Sequence, residues 1–435
     1  MSLRNRGVPR PPAGRHFHWR LVHRRRHELR RGGKLTLLAV LGPGLLAGLS
    51  DDDPAGITTY SVLGVEHGYR LLWILAAGTA ALIVFHDLGA RMGVVTGKGL
   101  VALVRDRLGP RTAGIALAAL VVANLGTLCA EFAGIAAGMQ LLTGLPPAAT
   151  VPVAAAAVSI LVLAASFDRV EHILLAAAAI FVVYIAAGVL SHPDWKAAAT
   201  GLVVPGIPAT RDAAVIAAAT IGTTLAPWGL AFIQSYAVNK HLKVEDLRYE
   251  RIDVIVGAVL TGVIGLFVVV ACAATLHHKG ATVHDAGDVA GALKPVAGAL
   301  TSALFGLGLV GAGLLAAAIV PLSTAYSVCE AFDREADVDD HAREAPVFYS
   351  SYVVLVIVAA ALVMIPGAPL VDILVLTQAL NAVLLLVLLP MMRRLAMNPA
   401  VMGDYVIGRA QRITTASAVA LVAFSVAALA VLTVF

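Results

Sequence analysis

Eleven apolar runs divide the chain, each long enough to be read as a membrane-spanning helix and separated from the next by a polar break. They extend from Leu35 to Val65, Leu71 to Leu88, Thr112 to Thr143, Ala148 to Ala165, Ile173 to Leu190, Ala213 to Val238, Ile252 to Leu276, Val296 to Val328, Val347 to Ile365, Leu370 to Met392 and Ile413 to Phe435. Two runs are interrupted from within. Ser50-Asp51-Asp52-Asp53-Pro54-Ala55-Gly56 sets three carboxylates, a proline and a glycine inside the first. Pro54 has no N–H and clashes with the carbonyl four residues back, and Gly56 frees the backbone, so this helix is predicted to break into two halves. Gly222-Thr223-Thr224-Leu225-Ala226-Pro227-Trp228-Gly229 repeats the same grammar in the sixth run. For either break alone, a simple Pro-Gly kink between packed helices is the competing explanation. Breaks five spans apart, one of them beside an Asp, instead match the paired discontinuous helices of an inverted-repeat transporter.

Unwound backbone at membrane depth is tolerated only where protein or water surrounds it, and carboxylates there mark function. Half-helix C-termini and freed carbonyls carry partial negative charge, and Asp53 adds a full one. The predicted ligand is therefore a cation.

Composition sets the class: of 435 residues, 59% are hydrophobic and only 14% charged, too apolar for an ordinary soluble protein. The reading is an all-α polytopic membrane protein. Residues 1–34 hold eleven Lys and Arg against one Glu and lack the form of a cleaved signal peptide; a basic cytoplasmic tail near anionic lipid is expected, not a nucleic-acid surface. With the N-terminus inside, the cytoplasmic segments carry 27 of the 32 basic residues, leaving Arg70, Lys196, Arg211, Lys279 and Lys294 outside. That bias, with an odd number of spans, puts the C-terminus outside a cell membrane. Cys129, Cys272 and Cys329 form no metal-ligand or disulfide pattern and read as packing residues. No cofactor is expected, and no nucleophile and base with enzyme-like spacing stand out.

The segment from Gly42-Pro43-Gly44 to Asp53-Pro54-Ala55-Gly56, the loop from Ala90 to Leu100 (Ala-Arg-Met-Gly-Val-Val-Thr-Gly-Lys-Gly-Leu) and the Ala226-Pro227-Trp228-Gly229 break resemble the Nramp family of divalent metal transporters. The resemblance implies a LeuT-type fold, alternating access, and a metal ion held between helices one and six. It also implies inverted repeats over 35–190 and 213–392, with a peripheral eleventh helix over 413–435. Departures from the family pattern are informative: members usually carry Asp-Pro-Gly-Asn and Met-Pro-His-Asn, whereas here Gly56, Ala226, Trp228 and Gly229 replace Asn, Met, His and Asn. Losing a thioether and an amide leaves a wider, oxygen-only site. Mg²⁺, which dehydrates reluctantly and is held by one or two carboxylates, suits it, with Mn²⁺ as a second substrate. The pattern resembles the Nramp-related magnesium transporter branch.

Asn124, Thr127 and Glu131 share one face of the third helix, and Gln378 and Asn381 one face of the tenth. Gln378 matches a family position near the metal; Asn381 serves equally well as an interhelical hydrogen-bonding group. Where the family often has a second acid after Glu131, this chain has Gly134. The expected metal set is Asp53 as main ligand, the positions Gly56 and Ala226 at the breaks, carbonyls near Ser50 and Thr223, and Gln378 and Glu131 directly or through water. Asp51 and Asp52 are expected in an aqueous vestibule or packed in protonated form. His86 and Asp87 are expected at the membrane interface, and His277, His278 and His284 in a solvated loop. The alternatives are a proton-coupled Mn²⁺/Fe²⁺ symporter of the ordinary family type, or a Na⁺-coupled amino-acid symporter on the same fold; a membrane enzyme or structural protein is more distant.

Overall fold

Proline and glycine punctuate the helices. The computed structural model describes residues 52–164, 182–240, 242–277, 301–334, 344–367 and 369–434. Within these, α1 (Pro54–His67), α4 (Pro110–Thr143), α9 (Pro227–Asn239) and α12 (Pro346–Val363) each begin with proline, whose missing N–H costs nothing in the first turn. Gly97 and Gly144 close α2 (Leu72–Thr96) and α4 in the left-handed conformation that glycine adopts without strain. The remaining helices are α3 (Leu100–Leu108), α5 (Pro147–Ala164), α6 (Val182–Leu190), α7 (Trp195–Val203), α8 (Arg211–Thr224), α10 (Leu247–Thr275), α11 (Thr301–Ala331), α13 (Leu370–Ala396), α14 (Pro399–Met402) and α15 (Arg409–Val434).

Eight helical stretches among the described residues are long and apolar enough to cross a membrane, and they coincide with runs two, three and six to eleven. The fourth run is the shorter apolar α5; the first and fifth are described only in their second halves, α1 and α6. The tail 1–34, Ser50, Asp51, His278 and His284 lie outside the described residues.

One expectation about the loops is corrected. The Ala90–Thr96 part of the expected loop continues α2, because its small residues pack inward: a Cβ on Gly93 would come within 2.5 Å of the Gln234 carbonyl oxygen on α9. Beyond it, α3 is a separate amphipathic helix. Its first N–H groups, from Val101 and Ala102, donate to the Glu330 carboxylate at 2.9 and 3.4 Å. Arg105 of α3 in turn donates to the carbonyls of Glu330 and Ala331 and pairs with Asp333. No periodicity in the sequence announces this cap, since its acceptor lies more than 200 residues away.

The core is built by close approach rather than by large side chains alone. Without water to exclude between helices, packing favours small residues at the contacts. α4 and α11 share the most extensive contact, and α13 lies against α4 and α8. Trp228, Tyr60, Phe85, Phe132 and Phe232 fill the spaces left between them, fully buried.

Candidate functional site

The first break is visible from its second half. Asp53 is extended (φ −71°, ψ 169°), and its Oδ1 accepts the Gly56 N–H at 2.5 Å, capping α1. This bond fixes the carboxylate at the positive end of a half-helix and aims it along the break. At the second break α8 ends at Thr224, Leu225 and Ala226 are non-helical, and α9 starts at Pro227. Ala226 offers no side-chain cap; its carbonyl accepts from Gly229 and Leu230 at 3.1 and 3.4 Å. In a continuous helix the Thr223 carbonyl would take the N–H of residue 227, which is proline and has none. The same reasoning applies to Ser50 and Pro54, although Ser50 is not described. Thr223 is buried, and its Oγ1 has no partner among the described residues.

Three buried carboxyl groups gather at the first break. Asp52 and Glu131 are fully buried and Asp53 is 3% exposed. Glu131 interacts with Asp53, and Asp53 with Asp52, while among the described residues no cationic side chain interacts with any of the three. Among the described residues, neither oxygen of Asp52 or of Glu131 has a hydrogen-bond partner. Unpaired buried carboxyl groups are costly, so the cluster calls for a cation or protons to complete it. The groups do not converge into one compact ligand shell among the described residues. Asp52 therefore belongs to the buried wall of the site, where the vestibule was the other reading.

Gly134 explains the missing second acid. A Cβ there would overlap the ring of Pro54, and one on Gly313 of α11 would come within 3.2 Å of the same ring and 3.1 Å of the Glu131 carbonyl. The first turn of α1 is thus packed directly against α4 and α11 through the Pro54 ring.

α13 brings Gln378 to the other side. A Cβ on Gly222 would run into the Gln378 carbonyl, so the last turn of α8 lies directly on α13. Gln378 accepts from Asn381 at 2.9 Å through Oε1, and its buried Nε2 has no partner among the described residues. Asn381 also donates to Thr127 at 3.0 Å, and Asn124 donates to Thr324 of α11 at 2.8 Å. These two amides join helices, the structural role open to Asn381. Tyr60 and Thr224 link α1 to α8 at 3.0 Å, and Ser323 donates to the carbonyl of Trp228 at 2.9 Å. Tyr60, Ser323 and Thr324 escape a reading of single helices; the Ser-Thr pair soon after Pro321 is the one local hint of a polar face on α11.

Other candidates fall away from the breaks. His86 is buried rather than interfacial, because α2 continues to Thr96, past the expected end at Leu88. Asp87 pairs with Arg91 and with Arg251, the latter at 2.8 Å. His277 contacts the Val65 carbonyl at 2.7 Å through Nδ1, which ties it to α1 and removes it from a purely solvated loop. All three cysteines are free and buried.

Known proteins share this fold. A divalent metal cation transporter MntH of Burkholderia ambifaria is 33% identical over 298 residues, covering 66% of this chain and 67% of that relative. One from Pectobacterium carotovorum is 31% identical over 294 residues, covering 65% and 70%. The crystal structure of the Eremococcus coleocola manganese transporter with an aromatic bis-isothiourea substituted compound superposes with a TM-score of 0.75 at 19% identity, over 91% of this chain and 87% of that one. MhsT in complex with L-phenylalanine superposes at 0.59 and 14% identity over 91% and 98%, so the LeuT-type fold extends beyond metal transporters. The family model for natural resistance-associated macrophage protein-like chains matches residues 44–433, which takes in Asp53-Pro54, the break before Pro227 and all of the helices described above but the last residue of α15, and this chain is a multi-pass membrane protein that belongs to the Nramp family.

Proposed function

We propose that this chain is a membrane transporter of divalent metal cations, not an enzyme, and that it carries Mg²⁺ with Mn²⁺ as a second substrate. The observation that carries the reading is the buried trio Asp52, Asp53 and Glu131, held without a cationic partner among the described residues, beside breaks that offer no soft donor at 56 or 226. Relatives and a structural neighbour are named as divalent metal cation and manganese transporters, which supports the cargo class. The finer choice follows from ligand chemistry. Carboxylates spread around a break, rather than drawn into a tight cage, suit an ion that keeps its own waters. Asp53 is the anchoring ligand; carbonyls near Ser50 and Thr223 are the backbone ligands, and Glu131 and the Gln378 Oε1, which keeps a second lone pair beside its bond from Asn381, complete the shell directly or through water.

The charge bias orients the chain with its N-terminus inside and its C-terminus outside, and an inward-negative membrane potential draws the cation inward. Residues 35–190 and 213–392 act as the two inverted repeats, which rock against each other about the breaks, with 413–435 peripheral. The test is uptake by proteoliposomes loaded with a Mg²⁺-sensitive dye, with Ca²⁺, Mn²⁺ and choline as controls. Saturable Mg²⁺ entry inhibited by Mn²⁺ is the expected result; Mn²⁺ entry with no Mg²⁺ entry would return the ordinary Mn²⁺/Fe²⁺ reading.

A further inference from the structure

Away from the breaks, α2, α10 and α15 enclose a half-open groove of about 250 Å³. Its walls are apolar, from Ile83, Val84 and Leu88 of α2, Ile255 of α10 and Ile407 just before α15. One end is polar and highly ordered by its own bonds. Asp87 is 15% exposed and pairs with two guanidinium groups, those of Arg91 and Arg251. Arg91, 8% exposed, is further held by donating to Oε1 of Gln411 at 3.0 Å. Arg251 gives Asp87 only its Nε, at 2.8 Å, and its side chain stays 52% exposed.

Two cations share one carboxylate, so this end of the groove carries a surplus positive charge. The carboxylate also orients the surplus: with Nε engaged, the two Nη groups of Arg251 present the planar fork that matches a phosphate. Gln411 accepts through Oε1, which turns its NH₂ group outward as a second donor. Arg251 stands in the second turn of α10, and Gln411 in the first turn of α15. Both are at the depth of the helix ends, where lipid headgroups lie, while the apolar walls continue toward the bilayer centre. Outward-facing Ile255 and Val256, 38% and 41% exposed, extend this apolar face on α10.

We propose that this groove binds one anionic phospholipid, its phosphodiester held by Arg251 and Gln411 and an acyl chain lying against Ile83, Val84, Ile255 and Ile407. Charge selects the occupant. A zwitterionic lipid brings its own cation to a site that already has one in excess, and a free phosphate gains nothing from the apolar walls. Basic pockets between helices favour anionic headgroups for this reason. The lipid also bridges α2 and α10 to α15, and so ties the last helix to the bundle.

The full-length protein in detergent is incubated with phosphatidylglycerol or phosphatidylcholine, and bound lipid is read by native mass spectrometry. Wild type is expected to retain phosphatidylglycerol and not phosphatidylcholine, with inorganic phosphate unable to displace it. Arg251→Gln is expected to weaken retention about a hundredfold, the effect of losing the two charge-assisted hydrogen bonds of the fork. Ile255→Trp fills the groove while leaving Arg251 in place, and is expected to lose the lipid as well. Equal retention of the two lipids, displacement by phosphate, or persistence of phosphatidylglycerol on either folded variant would overturn the site.

Discussion

Asp53 is the residue on which the cation site turns, since its carboxylate both caps α1 through Gly56 and faces the break. Asp53→Ala is expected to abolish Mg²⁺ uptake and to cost about 1 kcal/mol of stability through the lost cap. A monodisperse variant that transports at the wild-type rate would remove the assignment. Selectivity rests on two smaller positions. Ala226→Met with Gly56→Asn restores a thioether and an amide, and is expected to shift competition uptake toward Mn²⁺ or Cd²⁺ by about tenfold or more. An unchanged ratio in a folded double variant would sink this reading. Gly134 is constrained by contact: Gly134→Ala drives a methyl into the Pro54 ring and is expected to destabilise by about 1–3 kcal/mol, read as a lower unfolding temperature in detergent. This is also why the second acid of the family pattern could not simply be reinstated here.

Among the elements, α3 depends most on a distant partner. The carboxylate of Glu330 takes two N–H groups of α3 and the hydroxyl of Ser235 on α9 at 2.5 Å, and Gly99 has no room for a Cβ beside it. Glu330→Ala orphans these donors and is expected to cost about 2–4 kcal/mol, seen as faster hydrogen exchange over 99–108. Unchanged exchange there would show that Arg105 alone holds the helix. Lys98 beside Asp106 holds that carboxyl below its ordinary value of 3.8. Its contribution is present above the ordinary carboxylate range and is lost only as pH falls through the lowered value, so this pair does not make α3 sensitive to pH near neutrality. The helix itself was hidden in the sequence because its cap comes from α11. The half-helices α1 and α9 were legible because proline breaks a helix through its own covalent structure.

For the whole molecule, the question is what drives the ion. Trp228 stands where the family carries a histidine; it is fully buried and cannot take up a proton. Membrane potential suffices: at about 2.3 kcal/mol per charge per 100 mV, a divalent ion gains ~4.6 kcal/mol, an accumulation on the order of 10³-fold. Transport is therefore expected to proceed without proton flux. Proteoliposomes carrying a pH dye, given Mg²⁺ under a fixed inward-negative potential, should show no acidification beyond empty vesicles. A Mg²⁺-dependent influx of protons would restore the symporter, with Asp53 and Glu131 as the groups that carry them.

By itself the sequence determined the class, the half-helices that start at Pro54 and Pro227 and the acid that caps the first of them, because hydropathy, proline geometry and the scarcity of intramembrane charge act locally along the chain. It also grouped Glu131 with Asn124 and Thr127, and Gln378 with Asn381, on shared helix faces that are buried in the fold, since a helix repeats every 3.6 residues wherever it is packed. Only the tertiary structure decided which polar groups meet. Asn381 joins Thr127, Asn124 joins Thr324, and Glu330 caps a helix more than 200 residues away, all contacts with no trace in local periodicity. It also decided that Asp52 is buried with Asp53, and that Gly134 is small because Pro54 occupies the space. Burial and volume are properties of what packs against a residue, and the chain alone does not specify its neighbours until it has folded.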